Sequence, residues 1–200
     1  MTFSILTVCS GNICRSPLAE QLLRAGLAGV EGITVRSAGT MAMVGYGMPP
    51  EAQSLSARYG ATDAAAHVAR QVDEQLILDA DLVLGLAREH RRSVVELVPA
   101  ATRRTFTLRE FARLAASVTD DDLDDAASPL GDGSLRSRLR EAVVAAASLR
   151  GVVTPFDSPD DADVVDPYRR SADVYEASAA QLVPAVQATV ALLARAAHRV

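Results

Sequence analysis

The amino-acid sequence predicts an α/β fold: a small central parallel β-sheet of about four strands, flanked by helices on both faces. Three observations predict it. Short apolar or β-branched runs alternate with segments of helical spacing, the pattern of strands joined by crossover helices. The first run ends in a glycine-containing turn, Cys9-Ser10-Gly11-Asn12-Ile13-Cys14-Arg15-Ser16-Pro17, and Pro17 suits the first position of a following helix. The chain of 200 residues, 49% of them hydrophobic, can bury one sizeable core.

Taken in order, strands are expected at residues 3–8, 33–37, 82–86 and 104–107, each a short apolar or β-branched run. Helices are expected at 17–28, 50–59, 73–78 and 89–98, where apolar residues recur at intervals of three and four. Residues 172–197 place Val174, Leu182, Val186, Val190 and Leu193 on helix-compatible positions, with Pro184 as a bend, and should pack as a closing helix. The middle of the chain reads differently. Thr119-Asp120-Asp121-Asp122-Leu123-Asp124-Asp125 is densely acidic, and a Gly/Ser/Pro-rich piece follows it to Ser134. That composition buries too little apolar surface to order itself and is expected as a mobile, solvated loop. Residues 134–149 regain helical spacing with Ser134 as N-cap, and 154–163 are irregular and acidic. One domain spanning residues 1–200 is expected, with an addition at about 117–160.

Composition excludes several function classes. A net charge of −5 without basic clusters argues against nucleic-acid binding. The N-terminal apolar run is far shorter than a membrane span and lacks a signal peptide's basic region and cleavage site, so a cytoplasmic protein with no membrane partner is expected. Two cysteines in one loop make neither a disulfide framework nor a four-ligand zinc site, and no metal or cofactor is expected.

Chemistry is expected at the turn after the first strand. In open α/β folds ligands bind beyond the carboxyl ends of the strands, where Cys9 follows the first strand and Ser37 closes the second. A strand–turn–helix edge gathers backbone N–H groups and the positive end of a helix dipole around one point, which is an anion site before any side chain is counted. Cys9 occupies that point. Helix N-termini and adjacent cations favour the thiolate, the nucleophilic form of cysteine. Arg15 closes the loop after five intervening residues, and its planar fork fits two oxygens of a phosphate.

Val8 to Pro17 resembles the signature loop of the low-molecular-weight protein tyrosine phosphatases. Ser37-Ala38-Gly39-Thr40, His67-Val68-Ala69-Arg70-Gln71, Asp81-Leu82-Val83-Leu84 and Asp166-Pro167-Tyr168 resemble further segments of that family, in its order. The addition at about 117–160 departs from the family pattern.

The resemblance implies a metal-independent phosphoric monoester hydrolase that works through a phosphocysteine. Cys9 would be the nucleophile, and Arg15 with the loop residues Ser10, Gly11, Asn12, Ile13, Cys14 and Ser16 would hold the phosphoryl group. Expelling a phenolate of pKa about 10 at neutral pH calls for a proton donor. Spacing alone leaves Asp157, Asp160, Asp161, Asp163 and Asp166 as candidates. The family's acid is the aspartate of an Asp-Pro-aromatic triplet, so the resemblance implies Asp166, with Pro167 holding its predecessor extended. Asn12 and Ser16 would steady the loop and the thiolate, and His67 would support Asn12. Cys14, by the same resemblance, can form a reversible disulfide with the nucleophile that protects it from over-oxidation.

Tyr168, with Tyr46 or Met43, is expected to wall a phenyl ring. Arg169 stands where the family often carries a second aromatic. Ile13 bears on the substrate: relatives acting on phosphoarginine have threonine at that position, and tyrosine phosphatases a bulkier apolar residue. The implied function is hydrolysis of phosphotyrosine in a protein substrate, with a tyrosine kinase as partner and phosphate, sulfate or vanadate as site ligands. The alternatives are a phosphatase of another phosphoresidue such as phosphoarginine, a non-catalytic phosphate-binding module, or an interaction protein built around the acidic segment. Arsenate reduction needs relay cysteines beyond Cys14, and there are none.

Overall fold

The structure, a computed structural model, describes residues 2–127 and 132–199. Its four strands are β1 (Phe3–Cys9), β2 (Ile33–Gly39), β3 (Leu82–Gly85) and β4 (Thr105–Thr107), within two residues of the expected bounds. They form one parallel sheet in the order β2-β1-β3-β4, with Cys9 opposite Gly39 and Val8 opposite Gly85 at its carboxyl edge.

Alternation along the strands sorts the core onto two faces. Phe3, Ile5, Leu82 and Leu84 point to one side, where α1 (Arg15–Gly26), α5 (Leu108–Ser117), α7 (Leu135–Ser148) and α8 (Ala172–Ala197) supply Leu23, Phe111, Leu139 and Leu182. Leu6, Val8 and Val83 point to the other, against Ile77 of α3 (Glu74–Leu78) and Val94 of α4 (Arg88–Leu97). The helix α2 (Pro50–Arg58) adds Leu55 to the first face. The first helix begins at Arg15, two residues before Pro17, which therefore sits in the first turn where its missing N–H costs nothing.

Two elements differ from expectation. Residues 108–117 had no assigned element, yet Thr107 and Glu110 form a reciprocal capping box that starts α5, and Leu108, Phe111 and Leu114 recur on its inner face. The acidic run is the helix α6 (Asp120–Ala126) rather than a mobile loop. Its ordering has three physical sources. Thr119 and Asp122 cap each other's backbone, the acids of the first turn complement the helix dipole, and Leu123 is 4% exposed. Arg195 in the last turn of α8 and Arg199 just beyond it supply the counter-charge to Asp120 and Asp124. Part of the Gly/Ser/Pro-rich piece, residues 128–131, lies outside the described residues.

Ser134 caps α7 as expected, its hydroxyl accepting from the Ser137 N–H. The helix is pinned by Arg136 and Arg140, which reach the buried carboxylate of Asp81 at 3.1 and 2.6 Å. Burial pushes that carboxyl up, but the two arginines and the Ser4 N–H outweigh it and hold Asp81 below its ordinary value. The closing helix α8 is long and apolar enough to cross a membrane by composition, yet half of its most apolar window is buried inside the fold. Between α7 and α8 the chain crosses the carboxyl edge of the sheet, where the Val164 N–H donates to the Leu86 carbonyl at 2.8 Å.

Candidate active site

The loop from Cys9 to Arg15 joins the last residue of a buried strand to the first residue of a helix. Its shape is set from behind. The carbonyls of Cys9, Ser10 and Gly11 accept from the N–H groups of Thr40, Met41 and Met43 at 2.9–3.0 Å, and the Asn12 carbonyl is 2.7 Å from His67 Nε2. With the carbonyls turned outward, the N–H groups of Gly11, Ile13 and Cys14 have no acceptor among the described residues. This is a nest of donors at a helix N-terminus, which suits an anion. Gly39 is required by that packing, because a Cβ there would stand 2.4 Å from the Ser10 carbonyl.

Asn12 is the keystone. It adopts φ 54°, a left-handed conformation that asparagine tolerates better than most residues. Its Nδ2 donates to Ser16 Oγ at 2.9 Å and Ser37 Oγ at 2.8 Å, and its Oδ1 accepts from the Arg70 N–H at 2.9 Å. The Ser37 hydroxyl in turn donates to the buried Glu20 carboxylate at 2.5 Å, so the polar chain ends on a charge. Cys9 Sγ lies 2.9 Å from Ser16 Oγ and accepts from the Asn12 N–H at 3.3 Å. Both contacts hold the sulfur at the mouth of the nest of loop N–H groups.

Across the loop, Arg15 is 5% exposed and divides its guanidinium between two partners. Nη1 donates to the Val164 carbonyl at 3.1 Å, and Nη2 pairs with Asp166 at 2.9 Å. The Asp166 carboxylate also accepts from the Tyr168 N–H at 3.2 Å, a turn that aims it inward with Pro167 between them. Arg169 takes φ 58° and lays its guanidinium 5.1 Å from the Tyr168 ring centre. Cys9, Arg15 and Asp166 thus line one cavity of about 190 Å³, with Ser10, Gly11, Ile13, Cys14 and Tyr168 also in its wall.

Asn12 and Ser16 are placed beneath that cavity, wholly buried. Of the expected apolar walls, Met43 lines the cavity together with Met41, while Tyr46 is 63% exposed and outside it. Of the five candidate acids, Asp166 lines the cavity; Asp160 and Asp163 are instead paired with Arg88. Burial, with the neighbouring negative groups, pushes the Cys14 thiol up to about 12.

Sequence reasoning missed His90. Its ring is 1% exposed, its Nε2 is 2.9 Å from Ser10 Oγ and 3.3 Å from the Glu89 carboxylate, and its Nδ1 has no partner among the described residues. A carboxylate only accepts, so the proton belongs on Nε2 and the bare Nδ1 lone pair is the group left dry. Burial and then the Arg15 charge push this histidine down to about 3, so it stands neutral behind the loop. A lone histidine on a helix carries no sequence signal for this; only the sheet order places α4 behind Ser10.

A family model described as low molecular weight phosphotyrosine protein phosphatase matches residues 4–131. The chain is 38% identical over 125 residues to a probable low molecular weight protein-tyrosine-phosphatase, EpsP, of Ralstonia solanacearum, covering 62% of this chain and 79% of that one. It is 37% identical over 125 residues to a protein-arginine-phosphatase of Geobacillus stearothermophilus, with the same coverage of 62% and 79%. The crystal structure of the Erwinia amylovora tyrosine phosphatase AmsI superposes with a TM-score of 0.65 at 26% identity, covering 96% of this chain and 93% of that one.

Proposed function

Since the chain belongs to the low molecular weight phosphotyrosine protein phosphatase family, we propose that it hydrolyses phosphotyrosine in protein substrates by way of a phosphocysteine on Cys9. The observation that carries this reading is the convergence of Cys9, Arg15 and Asp166 on one cavity, beside the loop N–H groups of Gly11, Ile13 and Cys14, which have no acceptor among the described residues. An incoming phosphoryl dianion competes with Asp166 for the Arg15 guanidinium. Arg15 and the loop N–H groups then hold the non-bridging oxygens. Released from Arg15, Asp166 can face the leaving oxygen and serve there as the proton donor.

Cys9 Sγ attacks phosphorus in line; the S–P bond forms as the P–O bond to the phenol breaks, and Asp166 gives its proton to the departing oxygen. A water then attacks the phosphocysteine, Asp166 takes its proton, and inorganic phosphate leaves with the thiolate restored. Asn12, Ser16, Ser37 and His90 are positioning residues in this scheme, since none of them lines the cavity.

A second reading is hydrolysis of phosphoarginine, the residue named for the Geobacillus relative. Ile13 in the cavity wall favours the aryl substrate, because its branched side chain, 5% exposed, fills space beside the loop and offers a guanidinium no hydrogen bond. Turnover of a phosphotyrosine peptide and a phosphoarginine peptide by wild type, Cys9→Ser and Ile13→Thr separates the two. Phosphotyrosine turnover that vanishes in Cys9→Ser supports the proposal; a wild-type preference for phosphoarginine overturns it. We further propose that residues at about 117–160 are an addition to this phosphatase core that takes no part in the chemistry.

A further inference from the structure

A second and larger cavity, of about 600 Å³, opens beyond the carboxyl end of β4, between α5 and the segment that follows α7. That is the volume of a small-molecule site. Its walls carry Arg88, Arg91, Arg113 and Arg150 against a single carboxylate, Glu110. Glu110 is shared, 2.8 Å from Arg150 and 3.9 Å from Arg91, and Arg88 is held by Asp160 and Asp163. Arg113 pairs with no carboxylate among the described residues. Its guanidinium instead lies 4.1 Å from the ring centre of Phe156, which is itself in the wall. The cavity thus combines an excess of fixed positive charge with a flat apolar surface. Three of the four arginines end on carboxylates, as an ordinary structural cluster on a chain of net charge −5 would; Arg113, the one that faces Phe156, does not.

The cavity is also wired to the site described above. Arg88 binds the Asp163 carboxylate with both its backbone N–H, at 2.7 Å, and its guanidinium, at 3.0–3.3 Å. The next residue, Val164, accepts from Arg15, and Asp166 pairs with Arg15 two residues further on. An anion that draws Arg88 into the cavity must loosen its grip on Asp163, at the base of the segment that aims Asp166.

We propose that this cavity binds a small organic anion, carboxylate or phosphate groups on an aromatic or other flat apolar body, and that its occupancy is felt at Asp166 through Arg88 and Asp163. The second half rests on the phosphatase reading; the first does not. The flat body stacks on the Phe156–Arg113 pair, and the anionic groups meet Arg113 and the partly neutralised Arg88, Arg91 and Arg150.

The test is a titration of the full chain with isophthalate, followed by backbone amide shifts with one equivalent of vanadate, which fills the Cys9 loop without flooding the second cavity with a competing anion. Saturable shifts at Leu114, Gly151 and Val153 are expected. Binding should weaken at least tenfold in Arg113→Gln, which removes the charge, and in Phe156→Leu, which removes the flat ring, and stay unchanged in Cys9→Ser. No saturable shift there, or shifts that survive Arg113→Gln, overturn the site. Isophthalate should also change kcat for p-nitrophenyl phosphate at least twofold in wild type and not in Arg113→Gln; kcat is the readout because competition at the Cys9 loop moves only KM. Binding with kcat unchanged overturns the coupling. A chain that binds isophthalate but hydrolyses no phosphate ester overturns the phosphatase reading and leaves the site standing.

Discussion

Arg15 and Asp166 meet at 2.9 Å across the cavity, the guanidinium buried and the carboxylate 51% exposed. The asymmetry suits their proposed tasks. A buried cation that gives up one ligand must gain another, and a phosphoryl group offers more charge than a carboxylate. A half-exposed acid, by contrast, can turn toward a leaving group and exchange its proton with water.

Asp166→Asn is therefore expected to slow aryl phosphates with poor leaving groups by roughly 10²–10⁴-fold, and activated ones such as p-nitrophenyl phosphate far less. A plot of log kcat against leaving-group pKa should steepen in the variant. An unchanged slope, or a steeper one in Asp163→Asn instead, would show that the proton comes from elsewhere.

Cys9→Ser removes the only sulfur that Asn12 and Ser16 address. Turnover should fall below detection while the melting temperature and the binding of vanadate persist. Residual activity within tenfold of wild type would rule out the phosphocysteine route.

The Asn12 network sets a third expectation. Asn12→Ala leaves the Arg70 N–H without its acceptor, a loss of about 1–3 kcal/mol, and removes the donor to the Ser16 and Ser37 hydroxyls at about 1 kcal/mol each, so Tm should drop by at least about 5 °C. Asn12→Gly loses the same bonds but is at ease at φ 54°, and should recover about 1 kcal/mol of the deficit. Equal melting temperatures for the two would show that the left-handed backbone carries no cost here.

His90 gives a pH prediction. Its folded value of about 3 lies below the ordinary 6.5, so between those two values the unfolded chain binds more protons than the folded one. The contribution of His90 is thus fully present above pH 6.5 and is lost as pH falls toward 3, with a slope of at most about 1.4 kcal/mol per pH unit. In His90→Gln the acid limb of a Tm-against-pH curve should flatten over that window. A limb that keeps its slope would mean that the carboxylates alone set acid stability.

The parts of the site that were legible in the sequence are those carried by neighbours along the chain. Cys9 and Arg15 share one turn between a strand and a helix, and period-two and period-3.6 patterns mark both elements. Asp166 was legible only by resemblance, since five aspartates had equal claims by spacing. The contacts that were not legible are made by tertiary packing: Ser10 with His90 across 80 residues, and Asp81 with Arg136 and Arg140 across more than fifty. The failure at α6 has a different cause. Composition treats six residues as a solvated unit, whereas one leucine, one capping threonine and two arginines from the far end of the chain suffice to order them.

That reading of α6 yields the last prediction. If Leu123 holds the helix down, Leu123→Ala should cost about 2 kcal/mol, the low end for a buried leucine because a short helix at the rim can settle into the gap. Removing the arginine pairs by Asp120→Asn and Asp124→Asn should cost much less and become undetectable in 1 M salt, since exposed pairs are weak and screened. Urea unfolding of the three variants at low and high salt compares the two contributions directly. None of them should alter kcat for a small aryl phosphate, because no atom of α6 lines the Cys9 cavity. A charge variant less stable than Leu123→Ala would mean that α6 is held by its ion pairs, and a fall in kcat would mean that it helps to build the site.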